Sequence, residues 1–145
     1  MKDNYRDLRV AVLGGGTVGA EVAHRLLEGA EELGSRSGAG LSLVGVAVRN
    51  LDAVRTPAIP QELLTTDAQS LIVQADIVVE LMGGIEPART LILEALGSGA
   101  DVVTANKALL AEHGPELFDA AARVGAQLYY EAAVAAAIPI IRPLR

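Results

Sequence analysis

The sequence has no cysteine, which excludes disulfides, thiolate nucleophiles and cysteine-based zinc sites. That absence leaves the redox compartment open and fits the expectation of a cytoplasmic protein. His24 and His113 are the only histidines, too few for a histidine metal cluster. Aromatics make up 3% of the chain, so the core must be built from Ala, Val, Leu and Ile, which the 51% hydrophobic content supplies. Positive charge is also scarce: the net charge is -6 and no run of Lys and Arg is present, so a nucleic-acid partner is not expected. Long apolar runs are missing near the start. Met1 to Asp7 mixes charges and the run from Val10 to Leu13 is too short for a signal peptide or a membrane span.

What is present begins at Val10-Ala11-Val12-Leu13-Gly14-Gly15-Gly16-Thr17-Val18-Gly19. A Gly-x-Gly-x-x-Gly turn follows a β-branched strand and precedes an amphipathic helical pattern. Gly14 permits a tight turn, Gly16 lets backbone approach a pyrophosphate, and Gly19 lets helix and strand pack closely. The helix N-terminus, with the amides of Thr17, Val18 and Gly19, then offers unsatisfied N–H groups to the anion. The glycine spacing alone is also compatible with a structural turn; its place between strand and helix favours nucleotide binding.

Strand and helix signals alternate through the rest of the 145 residues. Strands are expected at Leu8–Leu13, Leu41–Val48, Ile77–Leu81, Asp101–Ala105 and Gln127–Tyr130. Helices are expected at Thr17–Leu33, with Gly34 as its stop, at Thr66–Val73 capped near Thr66 or Asp67, and at Pro87–Leu96 closed by Gly97 and Gly99. Two helical segments follow, at Ala108–Glu112 and Pro115–Val124. Ser35 to Gly40 reads as a loop, and Arg49 to Pro60 as irregular because of Pro57 and Pro60. The pattern predicts an α/β fold with a doubly wound parallel sheet over residues 1–130, with ligands at the carboxyl ends of the strands. Residues 131–145 are strongly apolar and carry no helix cap or polar tail, so they are expected to open a second domain.

Residues just after each strand are therefore the candidates for chemistry. Val48-Arg49-Asn50 follows the second strand, where NAD-preferring folds carry an acidic residue for the ribose hydroxyls. A guanidinium at Arg49 suits a 2′-phosphate, so NADP is favoured over NAD, with a solvated surface arginine or dual specificity as the alternatives. Arg55 is a candidate second phosphate contact, or an exposed loop charge. The Leu81-Met82-Gly83-Gly84 turn, with Gly83 at its apex, is placed to approach a cofactor sugar, or is a simple turn. Glu80 and Asp76 flank this strand; Glu80 is expected to be a strand-end surface carboxylate, and Asp76 to act as a cap or to be solvated. Arginine takes ten of the twelve basic positions, so Lys107, one of two lysines, sits where a residue able to give up its proton has a use; a surface lysine at a helix start is the alternative.

Three segments together, Val12 to Gly19, Val103-Thr104-Ala105-Asn106-Lys107-Ala108-Leu109-Leu110-Ala111 and Tyr130 to Leu144, resemble homoserine dehydrogenase over nearly the whole chain. The resemblance implies a Rossmann-type NAD(P)-binding domain followed by a substrate and dimerisation domain whose remainder is absent. It implies a homo-oligomeric parent that interconverts aspartate 4-semialdehyde and homoserine on the route to threonine, methionine and isoleucine. It assigns Lys107 as the catalytic lysine and places Thr104 and Asn106 by the nicotinamide and ribose. It further suggests a sodium site made by main-chain carbonyls of Glu131, Val134, Ala136 and Ile138, although Ala135-Ala136-Ala137 stands where relatives carry glycines. The 145 residues alone are expected to be inactive. Rival readings are an aspartate dehydrogenase-like enzyme and a non-catalytic NAD(P)H-sensing module.

Overall fold

The structure is a computed structural model, and it describes residues 6–29 and 39–130. The elements run β1 Arg6–Leu13, α1 Thr17–Glu28, β2 Ala39–Ala47, a 3-10 turn Gln61–Leu63, β3 Leu64–Thr65, α2 Ala68–Ile72, β4 Ile77–Glu80, α3 Ala88–Gly97, β5 Asp101–Thr104, α4 Lys107–Val124 and β6 Leu128–Tyr130. The strands form one parallel sheet in the order β3-β2-β1-β4-β5-β6. The order reverses between β1 and β4, and that reversal opens a crevice beyond their carboxyl ends.

Both faces of the sheet are covered, which is why its strands read as continuous apolar runs. Val10, Val12, Ile77, Val79 and Val103 turn to one face, where they pack with Ala20, Val22, Ala23 and Leu26 of α1. Ala11, Leu13, Val78 and Val102 turn to the other, against Leu71 of α2, Ile92 and Leu96 of α3, and Leu109 and Leu117 of α4. Each fully buried Val, Leu or Ile stabilises the fold by roughly 1.5–3 kcal/mol relative to exposure.

Several expected elements shift. The described part of α1 stops at Glu28, with the Gly29 amide bonding back to Arg25 O at 2.9 Å; Leu33 and Gly34 lie outside the described residues. Its buried face is Gly19, Ala20, Val22, Ala23 and Leu26, whereas Val18 and Leu27 are each 40% exposed. Small residues face the sheet because the helix crosses it closely. Gly40 belongs to β2 and not to a loop, since the Asp7↔Gly40 pairing extends the ladder with β1. The two-residue β3 was not expected; it pairs Leu64 and Thr65 with Val46 and Ala47. The segments Ala108–Glu112 and Pro115–Val124 join into α4 through a non-helical His113, just before Pro115, which cannot donate to the helical ladder. Asp67 caps α2 by accepting from Ser70 N at 3.2 Å, as its position suggests. Among the described residues no helix is long and apolar enough to cross a membrane.

Candidate functional site

The turn after β1 is held between both neighbouring strands: Gly14 N donates to Ala47 O at 2.9 Å, and Leu81 N donates to Leu13 O at 2.8 Å. Its three motif glycines do different work. Gly14 has φ +113, and a Cβ there would lie 2.9 Å from Leu81 O, so both conformation and space demand glycine. A Cβ on Gly19 would lie 2.0 Å from Gly14 O, which lets the first turn of α1 sit directly on the loop. A Cβ on Gly16 would meet nothing within 4 Å. No internal packing explains that glycine.

Gly16 also caps α1 without any side-chain hydrogen bond, and the first turn holds no acidic residue. The amides of Thr17, Val18 and Gly19 thus begin a helix whose positive end meets no competing carboxylate on its own turn. A cleft of about 550 Å³ opens at the turn, its lining reaching Gly16 but not Thr17, Val18 or Gly19. It is lined by Gly14 to Gly16, by Val48 and Arg49 after β2, and by Leu81 to Gly83 after β4. Of the residues expected at the site, the cleft brings together Gly14, Gly16, Arg49 and Gly83. Thr104, Asn106 and Lys107 stand beside it, at the carboxyl end of β5 and the start of α4.

The Arg49 side chain is exposed and makes no ion pair with a described residue. Arg55 behaves otherwise. Its Nε donates to Gly15 O at 3.2 Å, Nη1 to Ala53 O at 2.9 Å and Nη2 to Asn50 O at 2.5 Å, so the guanidinium ties the loop after β2 to the glycine turn. Of the two readings open from sequence it is not the simple exposed charge, because three of its five N–H groups are engaged with carbonyls; Nη1 and Nη2 each keep a second N–H on a cleft-lining residue. Glu86, Pro87 and Leu91 also line the cleft. They could have been found by extending the rule that residues after a strand end face the crevice into the helix that follows.

Glu80 corrects the expectation of a surface carboxylate. It is fully buried, 0% exposed, and paired in register with Thr104. Its Oε2 accepts from Met82 N at 3.0 Å, Gly83 N at 3.2 Å and Asn106 Nδ2 at 3.3 Å, and its Oε1 accepts from the Thr104 hydroxyl. Thr104 Oγ1 in turn accepts from Asn106 N at 3.0 Å. Asn106 is 6% exposed; its Nδ2 also donates to Gly84 O at 2.6 Å and its Oδ1 caps α4 at Leu109 N, 3.1 Å. The polar side-chain atoms of Thr104 and Asn106 are therefore engaged inside the protein. Lys107, by contrast, is exposed on the first residue of α4.

Asp76, expected to cap or be solvated, is half-buried at the other end of β4; its Oδ2 accepts from the backbone N of Arg9 at 2.8 Å and joins β4 to β1. Glu131, Val134, Ala136 and Ile138 lie outside the described residues, and among the described residues no group of acidic or histidine side chains could hold a metal ion.

Comparison with known proteins agrees with this geometry. The family described as homoserine dehydrogenase, NAD binding domain, matches residues 14–131. A homoserine dehydrogenase of Mycobacterium tuberculosis is 50% identical over 146 residues, covering 99% of this chain and 33% of its own length. One from Corynebacterium glutamicum is 51% identical over 138 residues, covering 94% and 31%. The crystal structure of a homoserine dehydrogenase from Thiobacillus denitrificans superposes with a TM-score of 0.80 at 43% identity, covering 89% of this chain and 30% of that one. The chain spans about a third of the length of these relatives. The glycine turn, the open cradle at Gly16 and the parallel sheet around them are those of an NAD-binding domain, and the chain belongs to the homoserine dehydrogenase NAD-binding family.

Proposed function

We propose that this chain is the coenzyme-binding part of a homoserine dehydrogenase that prefers NADPH and interconverts aspartate 4-semialdehyde and homoserine. The observation that carries the coenzyme preference is Arg49: it lines the cleft wall just beyond β2, and no acidic residue lies within Val48-Arg49-Asn50 to repel a 2′-phosphate. The amides that begin α1 would take the pyrophosphate, and Met82 and Gly83 would lie along the nicotinamide half. When bound, a reduced nicotinamide supplies hydride to a carbonyl carbon. Lys107 holds the proton that the carbonyl oxygen takes up as it becomes an alkoxide. Substrate contacts would be completed by the part of the relatives that this chain does not span, so the 145 residues should bind coenzyme and turn nothing over.

The test is calorimetric titration of the chain with NADPH and NADH at matched salt, repeated with Arg49→Ala. Tighter NADPH binding that the substitution brings down to the NADH level supports the reading. Equal binding of both coenzymes by the unsubstituted chain overturns the preference, and binding of neither overturns the coenzyme role of the isolated domain.

A further inference from the structure

Glu80 is the one fully buried ionisable side chain among the described residues, and no basic side chain forms an ion pair with it there. Burying a carboxyl group without a cation costs several kcal/mol unless hydrogen bonds replace its water, and an apolar side chain of similar volume often serves a sheet as well or better. Its four donors do not come from the strand interior. Met82 N and Gly83 N belong to the loop leaving β4, while the Thr104 hydroxyl and Asn106 Nδ2 belong to the end of β5 and the cap of α4. The loop from Leu81 needs such anchoring, because Gly83 and Gly84 follow one another at φ +78 and +75 and neither meets any atom within 4 Å of a would-be Cβ. Asn106 closes the arrangement from the other side by donating to Gly84 O.

We infer that Glu80 is a positioning residue for the nicotinamide end of the site: its carboxyl group binds the Met82–Gly83 loop and the Thr104–Asn106 cap into one unit. The inference rests on the coenzyme reading above. The lining residue Gly83 and the helix start that carries Lys107 then have a fixed relation to each other before any ligand arrives, which spares the ordering cost at binding. The adenosine end, formed by Gly14 to Gly16, Arg49 and the Arg55 clamp, shares none of these hydrogen bonds.

That separation supplies the test. The 145-residue chain is titrated with NADPH and with adenosine 2′,5′-bisphosphate, which occupies only the adenosine end, as wild type, Glu80→Gln and Asn106→Ser. Gln keeps an acceptor for the loop amides but turns a donor toward Thr104. Ser keeps a cap for α4 and removes the bridge to Glu80 and Gly84. Weakening of a buried hydrogen bond predicts about a tenfold loss of NADPH affinity in each variant, with bisphosphate affinity unchanged. Equal loss for both ligands makes Glu80 merely structural and overturns the inference, as does no loss for either. If Glu80→Gln does not fold, Asn106→Ser decides alone by the same comparison. Failure of the wild type to bind either ligand instead removes the coenzyme reading itself.

Discussion

A Cβ on Gly19 would lie 2.0 Å from the carbonyl oxygen of Gly14, so helix α1 rests on the turn that feeds it. Alanine inside a helix normally gains up to about 1 kcal/mol over glycine. Here the obstacle is backbone, which cannot rotate away, and overpacking of this kind costs about 3 kcal/mol. The clash wins: Gly19→Ala should lower Tm by several degrees and weaken nucleotide binding with it. Gly16→Ala meets no atom within 4 Å, so its cost to the fold is that of a poorer N-cap, about 1 kcal/mol; it should lower Tm less than Gly19→Ala while weakening NADPH binding. Thermal melts and titrations of the two variants check this; a large Tm loss at Gly16 would mean that its glycine serves the fold.

Arg49 and Arg55 line one cleft but should respond differently to removal. Arg49→Ala should affect NADPH alone, because the 2′-phosphate is the only group NADH lacks. Arg55→Ala releases the carbonyls of Gly15, Ala53 and Asn50 together and should weaken both coenzymes by a similar factor, about 3- to 10-fold for the loss of hydrogen bonds at a partly exposed site. Faster proteolytic cleavage between Asn50 and Arg55 should accompany it. A loss confined to NADPH would make Arg55 a phosphate ligand and not a loop clamp.

The sequence made the glycine turn, the alternation of strands and helices and the positions of Arg49 and Lys107 legible because each depends on local pattern. Strand β3 was not legible: Leu64 and Thr65 become a strand only through pairing with Val46 and Ala47, some eighteen residues earlier. Glu80 was misread for a related reason. A charged residue ending a strand is ordinarily at the surface, and the four donors that permit its burial arise from two loops whose convergence is set by the β4–β5 register. The run Ile77-Val78-Val79 before it did carry a signal, since a strand covered on both faces buries its last residue as readily as its first. Arg55 was ambiguous because its partners are carbonyl oxygens, which no residue type announces.

Acid should loosen the contact between α3 and α4. Arg89 spans Glu86 and Glu116, with Nε and Nη2 on Glu116 at 2.9 and 2.5 Å and Nη1 on Glu86 at 3.2 Å. The Thr90 hydroxyl, followed by Arg89, holds the Glu86 carboxyl below its ordinary value, and Arg89 does the same to Glu116. Both folded-state values lie below the unfolded ones, so the folded chain binds fewer protons. The stabilisation is present above the usual carboxyl range and lost as pH falls through the depressed values. Wild type should therefore exceed Arg89→Gln in Tm at about pH 7, and the two should converge by about pH 3, near or below ordinary carboxyl pKa values. The groups are exposed and the difference should be small, a few degrees at most. A gap that stays constant across the range would show that Arg89 contributes through packing and not through charge.

Lys107 sits at the exposed first residue of α4, directly after the buried cap Asn106. Its backbone N bonds to Ala105 O at 3.1 Å, while its ammonium makes no hydrogen bond with another described residue, so the side chain contributes little to the fold. Substitution should spare Tm and leave NADPH affinity within about 3-fold, since one exposed charge contributes little. Catalysis is another matter, provided that the whole enzyme uses this lysine to protonate the nascent alkoxide. Ala removes the donor. Arg restores the charge but holds its proton too tightly to give it up, so charge alone should not rescue turnover. Both variants, in the longer protein, should lose 10²- to 10⁴-fold in kcat, the range expected for removal of a general acid. Near-normal turnover in Lys107→Arg would reassign the residue to electrostatic binding of the substrate, and near-normal turnover in Lys107→Ala would leave the chemistry to a residue outside this chain.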